Sequence, residues 1–301
     1  MMSNLDVCFD ANNIVGESPF WNEYDSTINW IDIIGKKVCK YSISTKKYHE
    51  WTYDEFVCGL IPISANKVAV ALTHDLIELN VTTGDSLPII TLEKMQPDNR
   101  INEVKCDPSG RLWVGTMKNN IKADGSPKDL DASTGSLYRI DSRDCINTIE
   151  SNIGISNTLA WDSESNFFYF ADSVANKIWQ YHYNAETGGV DKKTTFASTL
   201  LAGSPDGSAI DISGNLWNAR FGDGAVICIN KEGDVIKKIL LPVTNPTSCA
   251  FGGENYDTLF VTSATFSLSH EQLAKNPLEG SVIAIKVGAI GVPGTSWKFD
   301  F

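Results

Sequence analysis

The side chains in this chain with the types and spacing to do chemistry are carboxylates and amides. There is no G-x-S-x-G elbow and no G-x-x-x-x-G-K-[ST] loop, so neither an activated serine nor a phosphate cradle is indicated. His49, His74, His182 and His270 stand far apart and outside any H-x-H or H-E-x-x-H pattern, and read as surface or loop residues. Cys8, Cys39, Cys58, Cys106, Cys145, Cys228 and Cys249 lie singly, several within apolar runs such as K-K-V-C-K-Y-S-I. They read as small buried thiols, not as a disulfide framework or a zinc cluster. What remains is Glu17, Asn102, Asn157 and Asp206, each polar and each leading into an apolar run. Any one alone is what a turn before a strand uses. Together, two carboxylates and two amide oxygens in one narrow space are unfavourable without a positive charge between them. A hard divalent cation such as Ca²⁺, Mg²⁺ or Mn²⁺ suits such a set. Arg100, two residues before Asn102, is placed to reach the same space.

The elements that would bring these four together are repeats. N-E-V-K-C-D-P-S-G-R-L-W-V-G-T recurs in outline as N-T-L-A-W-D-S-E-S-N-F-F-Y-F-A-D-S, D-G-S-A-I-D-I-S-G-N-L-W-N-A-R and T-S-C-A-F-G-G-E-N-Y-D-T-L-F-V-T-S-A. Earlier copies begin at Glu17 and, more degenerately, at Gly59. The anchors Glu17, Gly59, Asn102, Asn157, Asp206 and Thr247 are 42, 43, 55, 49 and 41 residues apart. That is the roughly 40–50-residue period of propeller blades. Each unit continues with an alternating run such as K-K-V-C-K-Y-S-I or G-S-L-Y-R-I-D-S, then a turn and an outer strand. The expectation is one all-β domain over residues 1–301, a six-bladed β-propeller with four antiparallel strands per blade. L-D-V-C-F-D near the N-terminus is expected to pair into the last blade and close the ring. S-H-E-Q-L-A-K-N-P reads as one short helical turn. Trp21, Trp113, Trp161 and Trp217 read as core between blades, carried on inner strands.

Composition narrows the partners. Of 301 residues, 42% are hydrophobic, and 25 basic against 37 acidic side chains give a net charge of −12. With a mean hydropathy of −0.14 this suits a globular protein with a sizeable core. An acidic surface repels phosphate backbones and anionic lipid, so nucleic acid and membrane are not expected partners. No apolar stretch approaches a bilayer span and no signal peptide is read at the N-terminus, so a cytoplasmic monomer or weak homo-oligomer is expected.

Taken as a set, G-E-S-P-F-W, D-N-R-I-N-E-V-K-C-D-P-S-G-R-L-W-V-G-T-M, S-N-T-L-A-W-D, P-D-G-S-A-I-D-I-S-G-N-L-W and T-S-C-A-F-G-G are specific. In order, from about residue 14 to 290, they resemble the regucalcin/gluconolactonase family of sugar lactonases. The resemblance implies one catalytic divalent metal ion (Ca²⁺, Zn²⁺, Mg²⁺ or Mn²⁺) held by Glu17, Asn157 and Asp206. It places Arg100 and Asn102 against the substrate, and implies hydrolysis of a sugar lactone to the aldonic acid. Asp206 would take a proton from the attacking water, or only orient that water; both variants stay open. Three departures bear on the substrate. Glu103-Val104 stands where the family usually has Asp-Gly, Thr158 stands where it has Gly, and Asn119-Asn120 follow G-T-M where some relatives place a sugar-contacting Glu. A phosphotriesterase or broad esterase activity, a calcium-binding regulatory role and a non-catalytic interaction propeller are the alternatives.

Overall fold

In the computed structural model, residues 5–162, 164, 166–197 and 201–298 are described. Segments of five to nine residues rich in Val, Ile and aromatic side chains, separated by Gly- and Asp-containing turns, form 24 strands in six four-stranded antiparallel sheets. This is the expected six-bladed propeller. Five blades take four consecutive strands each, with innermost strands Gly16–Asn22, Gly59–Ser64, Asn99–Cys106, Ser156–Trp161 and Ser204–Ile210. The sixth runs inward to outward as Pro246–Gly252, Thr258–Ser263, Val282–Lys286 and Leu5–Phe9. The N-terminal strand therefore closes the ring as its outer edge, with Leu5 opposite Ile285 and Val7 opposite Ile283. Closure ties together two ends of the chain that would otherwise leave a facing pair of blades unlinked.

Burial falls from the axis outward. All six residues of Ser156–Trp161 and of Thr27–Asp32 are buried, whereas the outer strand Val235–Leu240 is almost wholly exposed. The D-x-S-G-x-L-W turns have a common internal logic. Asp107 Oδ1 accepts the N–H groups of Ser109 and Arg111, and its Oδ2 accepts Trp113 Nε1 at 3.2 Å. Asp211 repeats the pattern with Ser213, Asn215 and Trp217, the indole bond being 2.9 Å. Trp113 and Trp217 are thus buried core, as expected, but they sit on second strands. The turn carboxylate needs the indole N–H across the hairpin, which an inner-strand residue does not offer. Trp21 and Trp161 do lie on inner strands. Cys39, Cys58, Cys106, Cys228 and Cys249 are buried and unpaired, Cys8 is partly buried, and Cys145 is exposed at a hairpin turn. The helical turn is His270–Lys275, opened by a Ser269/Gln272 capping box. Among the described residues no helix is long and apolar enough to cross a membrane.

The far end of the central channel is crossed by residues 291–298. Their backbone N–H groups bond Tyr256 O, Ile210 O, Pro62 O and Gly110 O through Gly291, Val292, Trp297 and Lys298, so four blades are tied together there. The closing strand is held by ring packing as well as by its ladder. The Phe9 ring lies 4.7 Å from both Tyr41 and Tyr48, which belong to the first blade. Phe9→Ala should lower unfolding stability by about 2–4 kcal/mol, somewhat less than for a fully buried Phe. Urea titration measures this; a change below about 0.5 kcal/mol would mean that the closing strand contributes little.

Candidate active site

The innermost strands do not run straight into the channel. In five of the six blades the register slips at the anchor: between Glu17 and Phe20, Ile101 and Glu103, Asn157 and Ala160, Pro205 and Ser208, and Pro246 and Cys249. A bulge bends the strand and re-aims the side chain beside it, here toward the axis. Glu17, Asn102, Asn157, Asp206 and Thr247 accordingly line one mouth, with Arg100. Gly59 is the exception. Its strand slips only at Pro62/Ser64, and Val104 Cγ2 lies 2.2 Å from where a Gly59 Cβ would be. The β-branched side chain that departs from the family pattern thus occupies the space a glycine leaves in the neighbouring blade.

Each ligand candidate is held from behind. Asp32, at the end of the second strand, accepts the N–H groups of Ile14 and Val15 just before Glu17. Asp172 does the same for Gly154 and Ile155 just before Asn157. In the fifth blade a cation does this work. Arg220, 1% exposed, donates to Ala202 O and Gly203 O in the loop entering Asp206, and to Asn218 Oδ1. Two non-glycine residues that follow ligand candidates have left-handed backbone, Ser18 at φ 48° and Thr158 at φ 53°. Both conformations are uncommon, and for a β-branched threonine the strain is real. Hydrogen bonds offset it: Ser18 N–H donates to Glu17 Oε2, and Thr158 Oγ1 donates to Asp206 O at 2.5 Å. Asn218 Nδ2 donates to Asp206 O and to Thr158 Oγ1. Thr158 therefore fastens the Asn157 and Asp206 backbones to each other.

The polar side chains form one chain of bonds. Arg100 Nη1 donates to Asn102 Oδ1 at 2.7 Å; Asn102 Nδ2 donates to Ser156 O and, at 3.3 Å, to Asn157 Oδ1; Asn157 Nδ2 donates to Ser173 Oγ. Glu17 is 6% exposed, Asn157 3% and Arg100 4%, and Asp206 is partly buried. Burial, then the charges of Asp206 and Glu103, push the Glu17 carboxyl well above the usual carboxylate range. Burial, then Glu103, do the same to Asp206, against the pull of the Gly207 N–H, Arg220 and Arg100. Glu103 itself is pushed up to about 7 by burial, with Lys105 opposing. Lys105 Nζ bonds Ser208 O at 2.6 Å below the anchors. Three carboxylates thus crowd the axis and resist ionising together. Glu17 and Asp206 oxygens with the Asn157 amide oxygen make a hard donor set that fits a divalent cation. Among the described residues no three His, Cys, Asp or Glu side chains gather as a ligand cluster, so an amide must complete the set. Lys105 and Arg220 carry no motif of their own in the sequence, and Glu103 was legible only as a departure from a pattern.

These features define a propeller with an acidic, cation-fitting mouth. Residues 15–265 match the SMP-30/gluconolactonase/LRE-like region model, and the chain belongs to that family. It is 32% identical to regucalcin of Danio rerio over 302 residues, covering 97% of each chain. Among solved structures it is similar to a calcium-binding regucalcin of Agrobacterium tumefaciens, at TM-score 0.91, 25% identity and 99% and 98% coverage. It is also similar to a luciferin-regenerating enzyme, at TM-score 0.87, 31% identity and 96% and 97% coverage.

The burial of Glu103 carries a sign. Glu103 binds its proton more tightly in the folded chain than in the unfolded one, whose pKa is about 4.3. Its contribution to stability is present below about pH 4 and is lost as pH rises through about 7. Melting temperature of the metal-free protein should therefore fall between about pH 5 and pH 8, and Glu103→Gln should flatten that fall. A melting curve rising through this window in the wild type would contradict a buried, proton-holding Glu103.

Proposed function

We propose that this protein hydrolyses a lactone of the sugar-lactone type, opening the cyclic ester to the hydroxy acid with one divalent cation held by Glu17, Asn157 and Asp206. The observation that carries the reading is the convergence of these oxygens, with excess negative charge, at the floor of an open mouth. Family membership and the relatives' printed names support it, since gluconolactonase is part of the family's description. When bound, a divalent cation polarises the ester carbonyl and makes water easier to deprotonate.

The chain's own residues then divide the remaining work. Asp206 stands at the mouth, where it accepts the proton of the attacking water or only orients that water. Glu17 and Asn157 lie deeper and are locked, the first to the Ser18 N–H and the second to Ser173, so they hold position and do not move with substrate. Arg100 sets Asn102 through its Nη1 bond and adds positive charge where the carbonyl oxygen gains negative charge. Water adds to the carbonyl carbon, the ring C–O bond breaks, and the ring oxygen leaves as a hydroxyl. The product is an anion, which a protein of net charge −12 releases readily.

Exhaustive chelation should abolish turnover of lactones, and Ca²⁺, Mg²⁺, Mn²⁺ or Zn²⁺ should restore it. Asp206→Ala removes a charged ligand and the proton acceptor, so turnover should drop roughly 10²–10⁴-fold with weakened ion binding. Asn102→Ala removes a positioning amide and should cost about 1–3 kcal/mol, roughly 5- to 150-fold in kcat/KM. Ion affinity should then change by less than about tenfold. Steady-state kinetics and calorimetry read both. Ion binding abolished by Asn102→Ala but untouched by Asp206→Ala would invert the assigned roles.

A further inference from the structure

Below the anchors the channel continues toward the crossing segment, and side chains do not fill it. Three residues after each anchor the inner strands carry Phe20, Pro62, Lys105, Ala160, Ala209 and Ala250, a ring one level deeper. Alanine on three successive blades helps to leave a chamber of about 290 Å³, close to the lower end of the roughly 300–1,000 Å³ range of small-molecule sites. Trp21, Trp161 and Phe251 line it from the next position along, and residues 292–295 of the crossing segment form its outer wall. Phe20, Lys105, Ala209 and Ala250 stay only partly buried although they lie on innermost strands.

Two charged side chains of the third blade face this apolar lining. Lys105 Nζ spends one of its three donors on Ser208 O at 2.6 Å. Glu103 is 3% exposed, and among the described residues no group donates a hydrogen bond to its carboxyl. Asp162, the other charged lining residue, is committed to the Asn166 and Phe167 N–H groups. A buried carboxyl without a donor, beside a lysine with donors to spare, is unfavourable until something completes both. An ion of either sign would gain from one of the pair and be repelled by the other. An amide gains from both, its carbonyl accepting from Lys105 and its N–H donating to Glu103. The Glu103 carboxyl offers an acceptor oxygen in either protonation state.

We propose that this chamber is a second binding site, for a small neutral molecule with an apolar body and one amide-like head group. The head group meets Glu103 and Lys105, with the Ser18, Ser208 and Ser248 hydroxyls at hand, and the body lies against the alanines and Phe20. Removing that body from water contributes most of the affinity. Neither charged group belongs to the Glu17, Asn157 and Asp206 set, so the site stands or falls apart from the lactone reading.

Calorimetry on the whole protein compares 3-phenylpropionamide with 3-phenylpropionate and 3-phenylpropylamine, which keep the apolar body and change the head group. The amide should bind at least about tenfold more tightly than either ion. Ala250→Phe fills the chamber and should weaken amide binding at least about tenfold. Lys105→Met removes the donor and should do the same, which gives the readout without added volume where Ala250→Phe does not fold. Phe266→Ser alters the lining of the mouth above and should change the amide affinity less than about threefold, as should a chelator in place of Ca²⁺. Tighter binding of either ion would overturn the assigned ligand class. Amide binding that needs Ca²⁺, or that survives both Ala250→Phe and Lys105→Met, would put the ligand elsewhere and overturn the site. No binding of the amide at millimolar concentration would overturn it as well.

Discussion

Like charges brought together on the axis of a closed ring organise this molecule. Glu17, Glu103 and Asp206 sit where neither water nor distance screens them fully, and each holds its proton more tightly than a free carboxyl does. Only the surrounding architecture keeps such groups in place. Six blades closed by the N-terminal strand allow no outward relaxation, and the segment crossing the far end of the channel ties four of them together. Lys105, Arg100 and Arg220 oppose the carboxylates from around the ring, yet Glu17 and Asp206 still hold their protons more tightly than free carboxyls do.

Backbone strain also falls beside two of the same groups. Ser18 and Thr158 adopt left-handed backbone immediately after Glu17 and Asn157, at the bulges that turn those side chains inward. Thr158 deserves the comparison with glycine, which would take this conformation at no steric cost. Threonine accepts the strain and gains a hydroxyl bonded to Asp206 O and Ser208 Oγ. The exchange adds a second tie between the fourth and fifth blades at the site, beside the bond from Ser173 Oγ to Pro205 O.

Much of this was legible in the chain because propeller geometry converts a sequence period into a spatial ring. A period of about 40–55 residues places Glu17, Asn102, Asn157, Asp206 and Thr247 on the inner strands of five blades, and so around one mouth. The failures have local causes. Gly59 has no side chain and no bulge beside it, and its space belongs to Val104. Glu103 was missed as a channel group because strict alternation sends neighbours of Asn102 to the other side. The bulge between Ile101 and Glu103 breaks that alternation and lets Asn102 and Glu103 both reach the channel. Arg220 replaces, from the second strand, the kind of loop anchoring that Asp32 and Asp172 provide in other blades, and no periodic pattern marks such a change of charge. The apolar lining of the mouth was invisible for another reason: Ile33, Ile121, Ile155 and Phe266 come from loops between strands, where spacing carries little information.

On the proposed reading, carboxylates kept partly protonated by burial, and for Glu17 and Asp206 also by neighbouring carboxylates, are the groups a cation takes over. Calcium titration of the metal-free protein near pH 7, by calorimetry in two buffers of different ionisation enthalpy, measures the protons released on binding. Binding of one ion with net proton release, reduced in Glu103→Gln, is the result the account predicts. Binding without proton release, or no divalent ion bound at millimolar concentration, would contradict it.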